Sequence, residues 1–118
     1  MDMDFSVEFY VSAAGRRPVR EFLDALKASD PDDFAAVMAG LARLRNSAYH
    51  RPPLSKAIGD GLFELRHLGK LNTRVLYFFM AGRRIVAVHG IRHKAQALPA
   101  HERQTALERM RDWQERVA

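Results

Sequence analysis

The chain has 118 residues, 47% of them hydrophobic and 28% charged, with a formal net charge of +5 and no cysteine. This is the size and balance of one globular domain built on one core. Without cysteine there are no disulfides, thiolate chemistry or Cys-based zinc sites; no run reaches the about 18 apolar residues of a membrane span; and the acidic start MDMDFSVEF has too short an apolar stretch for a signal peptide, so a cytoplasmic protein with no membrane partner is expected.

Residues 5–11 alternate, which predicts a strand with Phe5, Val7, Phe9 and Val11 inward and Asp4, Ser6, Glu8 and Tyr10 outward. Pro18 suits the first turn of a helix, and Val19, Phe22, Leu23 and Leu26 recur at helical spacing behind it. Asp30-Pro31-Asp32-Asp33 then supplies a cap, a first-turn proline and acids that complement the dipole of a second helix. Its apolar stripe is Phe34, Val37, Met38, Leu41 and Leu44. The tight junction implies an antiparallel helical pair packed on one face of a sheet. Residues 46–60 lack a period and contain Pro52-Pro53, so they read as a surface loop that ends in the turn Gly59-Asp60-Gly61.

Three β-type runs follow, Leu62–Leu68, Asn72–Met80 and residues 85–91, separated by short turns that each contain glycine. They form an antiparallel meander. After Pro99, Ala106, Met110, Trp113 and Val117 mark an amphipathic C-terminal helix, with Trp113 a core contact. The fold class is α+β in the order β-α-α-β-β-β-α, with residues 1–118 as a single domain.

The basic charge is local. Residues 51–94 hold nine Lys and Arg against two Asp and Glu, whereas residues 1–50 hold six against eight and residues 95–118 four against four. Such concentration on the loop and the meander points to a polyanion, RNA or DNA, or to an acidic protein. Arg66 and Arg74 stand inside apolar runs, and a hairpin centred near Lys70 places them opposite each other. Like charges across a ladder destabilise a sheet. Either a phosphate bridges them, because guanidinium forks bind phosphate bidentately, or Glu64 pairs with one of them, or both snorkel to the sheet edge.

Arg92-His93-Lys94 closes the last run. RNA cleavage by transesterification needs a base for the 2′-hydroxyl, an acid for the leaving 5′-oxygen and cations around the phosphorane. His93 or Lys94 could move the protons, and Arg92 and Lys56 could contact flanking RNA. His89 and His93 are four apart, but that spacing converges on a helix and not along a strand, so neither metal nor cofactor is expected.

These runs resemble the RelE/ParE toxin superfamily, nearest its HigB-like, phage-derived branch. The matching residues are Glu64-Leu65-Arg66, Arg74-Val75-Leu76-Tyr77-Phe78 and His89-Gly90-Ile91-Arg92-His93-Lys94, with Arg17-Pro18-Val19 at the helix start. The resemblance implies a small α/β sandwich and a toxin of a type II toxin–antitoxin pair, a ribosome-dependent mRNA endoribonuclease working without a metal. Arg66, Arg74 and Lys94 would take the family's catalytic positions. Implied partners are a cognate antitoxin of helix-turn-helix type, the ribosome and mRNA, and operator DNA through the antitoxin. Ile91 and His93 depart from the family's usual Phe and Lys, and its C-terminal tyrosine has no counterpart. Two alternatives share the fold: a ParE-like DNA gyrase inhibitor, and a non-catalytic partner of a helix-turn-helix repressor.

Overall fold

Strand β1 (Ser6–Phe9) pairs in parallel with the last strand of the sheet, far from it in sequence. The computed structural model describes residues 4–93 and 97–117. Helix α1 (Pro18–Ser29) begins on its proline and buries Val19, Leu23 and Leu26. Asp30 both closes α1 and opens α2 (Pro31–Arg43). Its backbone N–H donates to the Leu26 carbonyl at 2.7 Å, and its carboxylate accepts from the Asp33 N–H at 3.2 Å. A one-residue junction holds the two helices side by side. A 3-10 turn (Ser47–Tyr49) then leads to β2 (Ser55–Gly59), β3 (Leu62–Leu68), β4 (Asn72–Met80), β5 (Arg84–His93) and α3 (Ala100–Arg116).

The sheet order is β1-β5-β4-β3-β2, antiparallel throughout except for β1 against β5. Helices cover both faces. On one, α1 and α2 pack Leu23, Leu26, Val37 and Leu41 against Leu65, Val75, Tyr77 and Ile85. On the other, α3 packs Ala106, Leu107, Met110 and Trp113 against Leu62, Leu76, Phe78 and Val86. The central strand β4 is therefore buried from Asn72 through Phe78.

The α+β class, the helical pair on one face, the meander and the amphipathic last helix match the sequence expectations. Two local expectations are corrected. Residues 55–59, read as surface loop, form an edge strand in which Lys56 stands opposite Glu64. The Gly59-Asp60-Gly61 turn, all three residues at positive φ, closes the hairpin. Tyr10, read as outward, is 5% exposed, packs on Trp113, and donates its hydroxyl to Asp112 at 2.6 Å. An alternating strand shows one buried side only when its other face meets water, and here α3 covers that face.

A bulge on β5 sets Leu76 opposite His89 but Tyr77 opposite Ala87, so Val88 is the extra residue. Val88 and His89 consequently both serve α3. Arg109 donates to the Val88 carbonyl at 3.0 Å and to His89 Nδ1 at 2.8 Å, while His89 Nε2 donates to Glu102 at 2.5 Å. A ring nitrogen that accepts from a guanidinium fixes the neutral tautomer with its proton on Nε2.

Burial lowers the His89 pKa below its ordinary 6.5; the Glu102 bond opposes this and the Arg109 charge adds to it. The folded state thus binds this proton more weakly than the unfolded chain. Stability from this contact is fully present above pH 6.5 and is lost as the pH falls below it. The stability advantage of the wild type over His89→Gln should shrink between about pH 8 and about pH 5 in chemical denaturation; a difference independent of pH would refute the assignment. On the opposite face, Gly90 lies so close under α1 that a Cβ there would run into the Phe22 ring. Gly90→Ala should cost about 1–3 kcal/mol of unfolding free energy through overpacking, and a variant with wild-type urea midpoint would contradict this.

Candidate functional site: a cation-lined cleft over a buried carboxylate

Side chains that face each other across an antiparallel ladder share a face, and the β3–β4 register places Arg66 directly opposite Arg74, centred on Lys70. The next rungs add Glu64 opposite Leu76 and Lys56 opposite Glu64. Lys56, Glu64, Arg66 and Arg74 therefore belong to the α3 face, beyond the part that α3 covers. A cleft of about 310 Å³ opens there, lined by these four together with Leu98 and Arg103.

The two guanidiniums are not left to repel each other. Arg66 Nη2 donates to Glu64 Oε2 at 2.7 Å, and Arg74 Nε stands 3.5 Å from Glu64 Oε1. The Glu64 and Arg74 side chains are 3% and 2% exposed, whereas Arg66 is 27% exposed. Glu64 is a neutralising partner of the pair, and it serves both arginines rather than one. Arg66 forms the accessible surface, and Arg74 lies beneath, fastened to the carboxylate. Against Glu64 at its base and Asp60 on Arg103 at its rim, Lys56, Arg66, Arg74 and Arg103 leave these cleft residues with a net positive charge.

Arg103 shapes the rim. Its guanidinium donates to the Ile58 carbonyl and to Asp60, both at 2.6 Å, tying the start of α3 to the β2–β3 hairpin. Nothing near Arg103 in the sequence marks it, because the residues it meets lie more than forty positions away. Glu64 is legible as a partner of the arginines from its place two residues before Arg66 on the same strand face.

The remaining candidates divide between the two faces. His93 stands opposite Asn72, one same-face rung beyond the Arg74–Ile91 pair, and so shares the cleft face. Arg92, opposite Thr73, belongs to the other face. There it donates to Asp30 at 2.6 Å and Asp33 at 2.9 Å, and Asp33 also meets His67 Nε2 at 3.1 Å. The Asp33 N–H and the Arg92 guanidinium hold the Asp30 carboxyl below its usual range. Arg92, expected to contact flanking RNA, thus stands on the face opposite Arg66 and Arg74, because consecutive strand residues point to opposite sides, and it fastens β5 to the start of α2. Lys94 lies outside the described residues. Among the described residues no three His, Asp or Glu side chains are grouped so as to hold a metal ion.

Glu64→Gln would leave the two guanidiniums face to face. It should lower unfolding stability by about 3 kcal/mol, and inorganic phosphate should then raise the variant's melting temperature more than the wild type's. A variant that melts with the wild type and ignores phosphate would show that the carboxylate is not what holds the pair together.

Among the described residues no helix is long and apolar enough to cross a membrane. A comparison with curated proteins returns no match. Residues 21–111, spanning α1 to α3 and with them the whole cleft, match the family described as "Phage derived protein Gp49-like (DUF891)". That match covers most of the sequence and every strand that builds the cleft, and the chain belongs to this Gp49-like, phage-derived family.

Proposed function

We propose that the protein is the toxin of a type II toxin–antitoxin system, of the HigB-like branch, and that it cleaves mRNA on the ribosome. The Gp49-like family is associated with RelE-type toxins, which supports the toxin class and an antitoxin partner. The observation that carries the chemistry is Glu64 held between Arg66 and Arg74 at the base of a cation-lined cleft.

In this reading the scissile phosphate docks against Arg66, with Lys56 and Arg103 along the strand to either side. Its arrival competes for the Arg66 guanidinium and frees Glu64 Oε2 to accept the proton of the 2′-hydroxyl. The resulting alkoxide attacks phosphorus in line, and the P–O5′ bond breaks as the 2′,3′-cyclic phosphate forms. Arg66 neutralises the phosphorane. The leaving 5′-oxygen takes its proton from His93, on the same face, or from Lys94. Arg74, almost wholly enclosed, is a positioning residue that acts through Glu64. The ribosome supplies the alignment of the mRNA strand, which such a small cleft does not provide alone.

Arg66→Ala should reduce translation-dependent mRNA cleavage by roughly a hundredfold at equal folded protein. Arg74→Lys, which retains the charge, should recover part of the activity that Arg74→Ala loses. Undiminished cleavage by both alanine variants would exclude the mechanism. One observation favours a second reading. Glu64 neutralises the arginine pair from within the fold, as it would in a binding face without chemistry. A toxin directed at a protein such as DNA gyrase would then block supercoiling and leave mRNA intact. Supercoiling and mRNA decay measured side by side separate the two.

A further inference from the structure

The larger recess on the far side of Arg66 takes no part in that chemistry. It holds about 500 Å³ at the β2 edge of the sheet, walled by Tyr49 of the 3-10 turn, Pro52, Pro53 and Leu68 at the end of β3. Tyr49 and Leu68 are large apolar side chains left 43% and 63% exposed. Apolar surface gathered around one concavity marks a binding site more often than chance exposure. The charged side chains in its described lining are Arg43, Arg51 and Arg66. Arg51 is steadied there by a bond from Nε to the Ala48 carbonyl at 3.3 Å.

The recess and the cleft adjoin the same arginine. A smaller hollow of about 160 Å³ shares Pro52, Pro53 and Arg66 with it, and shares Lys56, Glu64 and Arg66 with the cleft. Arg66 is thus common to all three. A strand whose phosphate rests on Arg66 meets cations and a carboxylate on one side and an apolar, aromatic, guanidinium-rimmed hollow on the other. That alternation matches the repeat of single-stranded nucleic acid, in which a charged phosphate adjoins a flat apolar base.

We propose that this recess is a nucleobase subsite for the nucleotide next to the phosphate held at Arg66, with Tyr49 as its stacking platform. The proposal rests on the cleft being an RNA site. An acidic peptide would satisfy the arginines, but an apolar anchor on a peptide helix or strand calls for a groove running on along the surface. Here the recess instead shares Arg66 with the phosphate cleft.

The test is fluorescence anisotropy with a labelled single-stranded RNA tetramer, and with the same tetramer made abasic at each position in turn. Each is titrated against the wild type, Tyr49→Ala and Arg66→Gln. Tyr49 is outside both cores, so its truncation leaves the fold intact. The wild type should lose about tenfold in affinity when one particular base is removed. Tyr49→Ala should show no such penalty, and Arg66→Gln should weaken all the RNAs. An abasic penalty equal in wild type and Tyr49→Ala, with Arg66→Gln still weakening binding, overturns the subsite and leaves the cleft standing. Indifference of every RNA to Arg66→Gln overturns the cleft and the subsite together. A glutamate-rich peptide that binds through Tyr49, while RNA shows no base dependence, makes the recess a protein-docking surface and overturns the proposal.

Discussion

The contact on which the cleft depends is one carboxylate shared by two guanidiniums. Arg66 and Arg74 occupy facing positions on neighbouring strands, where uncompensated charges would push the ladder apart. Glu64 lies two residues along β3 on the same face and reaches both. Buried ion pairs seldom add net stability, because desolvation offsets their attraction, yet removing one member of such a group is costly. The arrangement is therefore better understood as a way of holding charge in place than as a source of stability. It presents one guanidinium to solvent with its geometry already set, beside an enclosed carboxylate and a second, enclosed guanidinium. In the proposed reaction, preorganised charge of this kind would meet the negative charge that builds up on phosphorus.

The period-two geometry of a strand divides the basic segment between two different tasks. Residues 66, 74 and 93 share the α3 face, while residues 67, 73 and 92 share the face under α1 and α2. Arg92 and His67 converge on Asp30 and Asp33, where they couple the meander to the helical pair. Positive charge that reads as one continuous patch along the chain is thus part fastening and part lining of an open cleft. At the other end of the sheet the β5 bulge turns His89 toward α3, and the Glu102–His89–Arg109 chain fixes the helix whose first turn, through Arg103, forms the rim of the cleft. Positioning of the cleft therefore draws on both layers.

Much of this architecture was legible in advance. Strong periodic signals, helix-start prolines, an aspartate cap and glycine turns are local, and local rules govern them; β3 and β4 have the very bounds that the runs predicted. The facing of Arg66 and Arg74 also followed, because a hairpin's centre determines its register. Strand β2 was missed because an edge strand of five residues next to two prolines has no alternation to display, and only its partner β3 defines it. Tyr10 was misplaced because the burial of an outward position depends on a helix about ninety residues later.

By itself, the amino-acid sequence determined the element types, the meander and the concentration of positive charge on residues 51–94, because each depends on neighbours along the chain. Only the tertiary structure decided how those charges are used: which arginine is neutralised, which is enclosed, which faces the helical pair and which lines an open cleft. The physical reason is that a side chain's charge belongs to its residue, whereas its exposure and its partners belong to the packing of segments that meet only after folding.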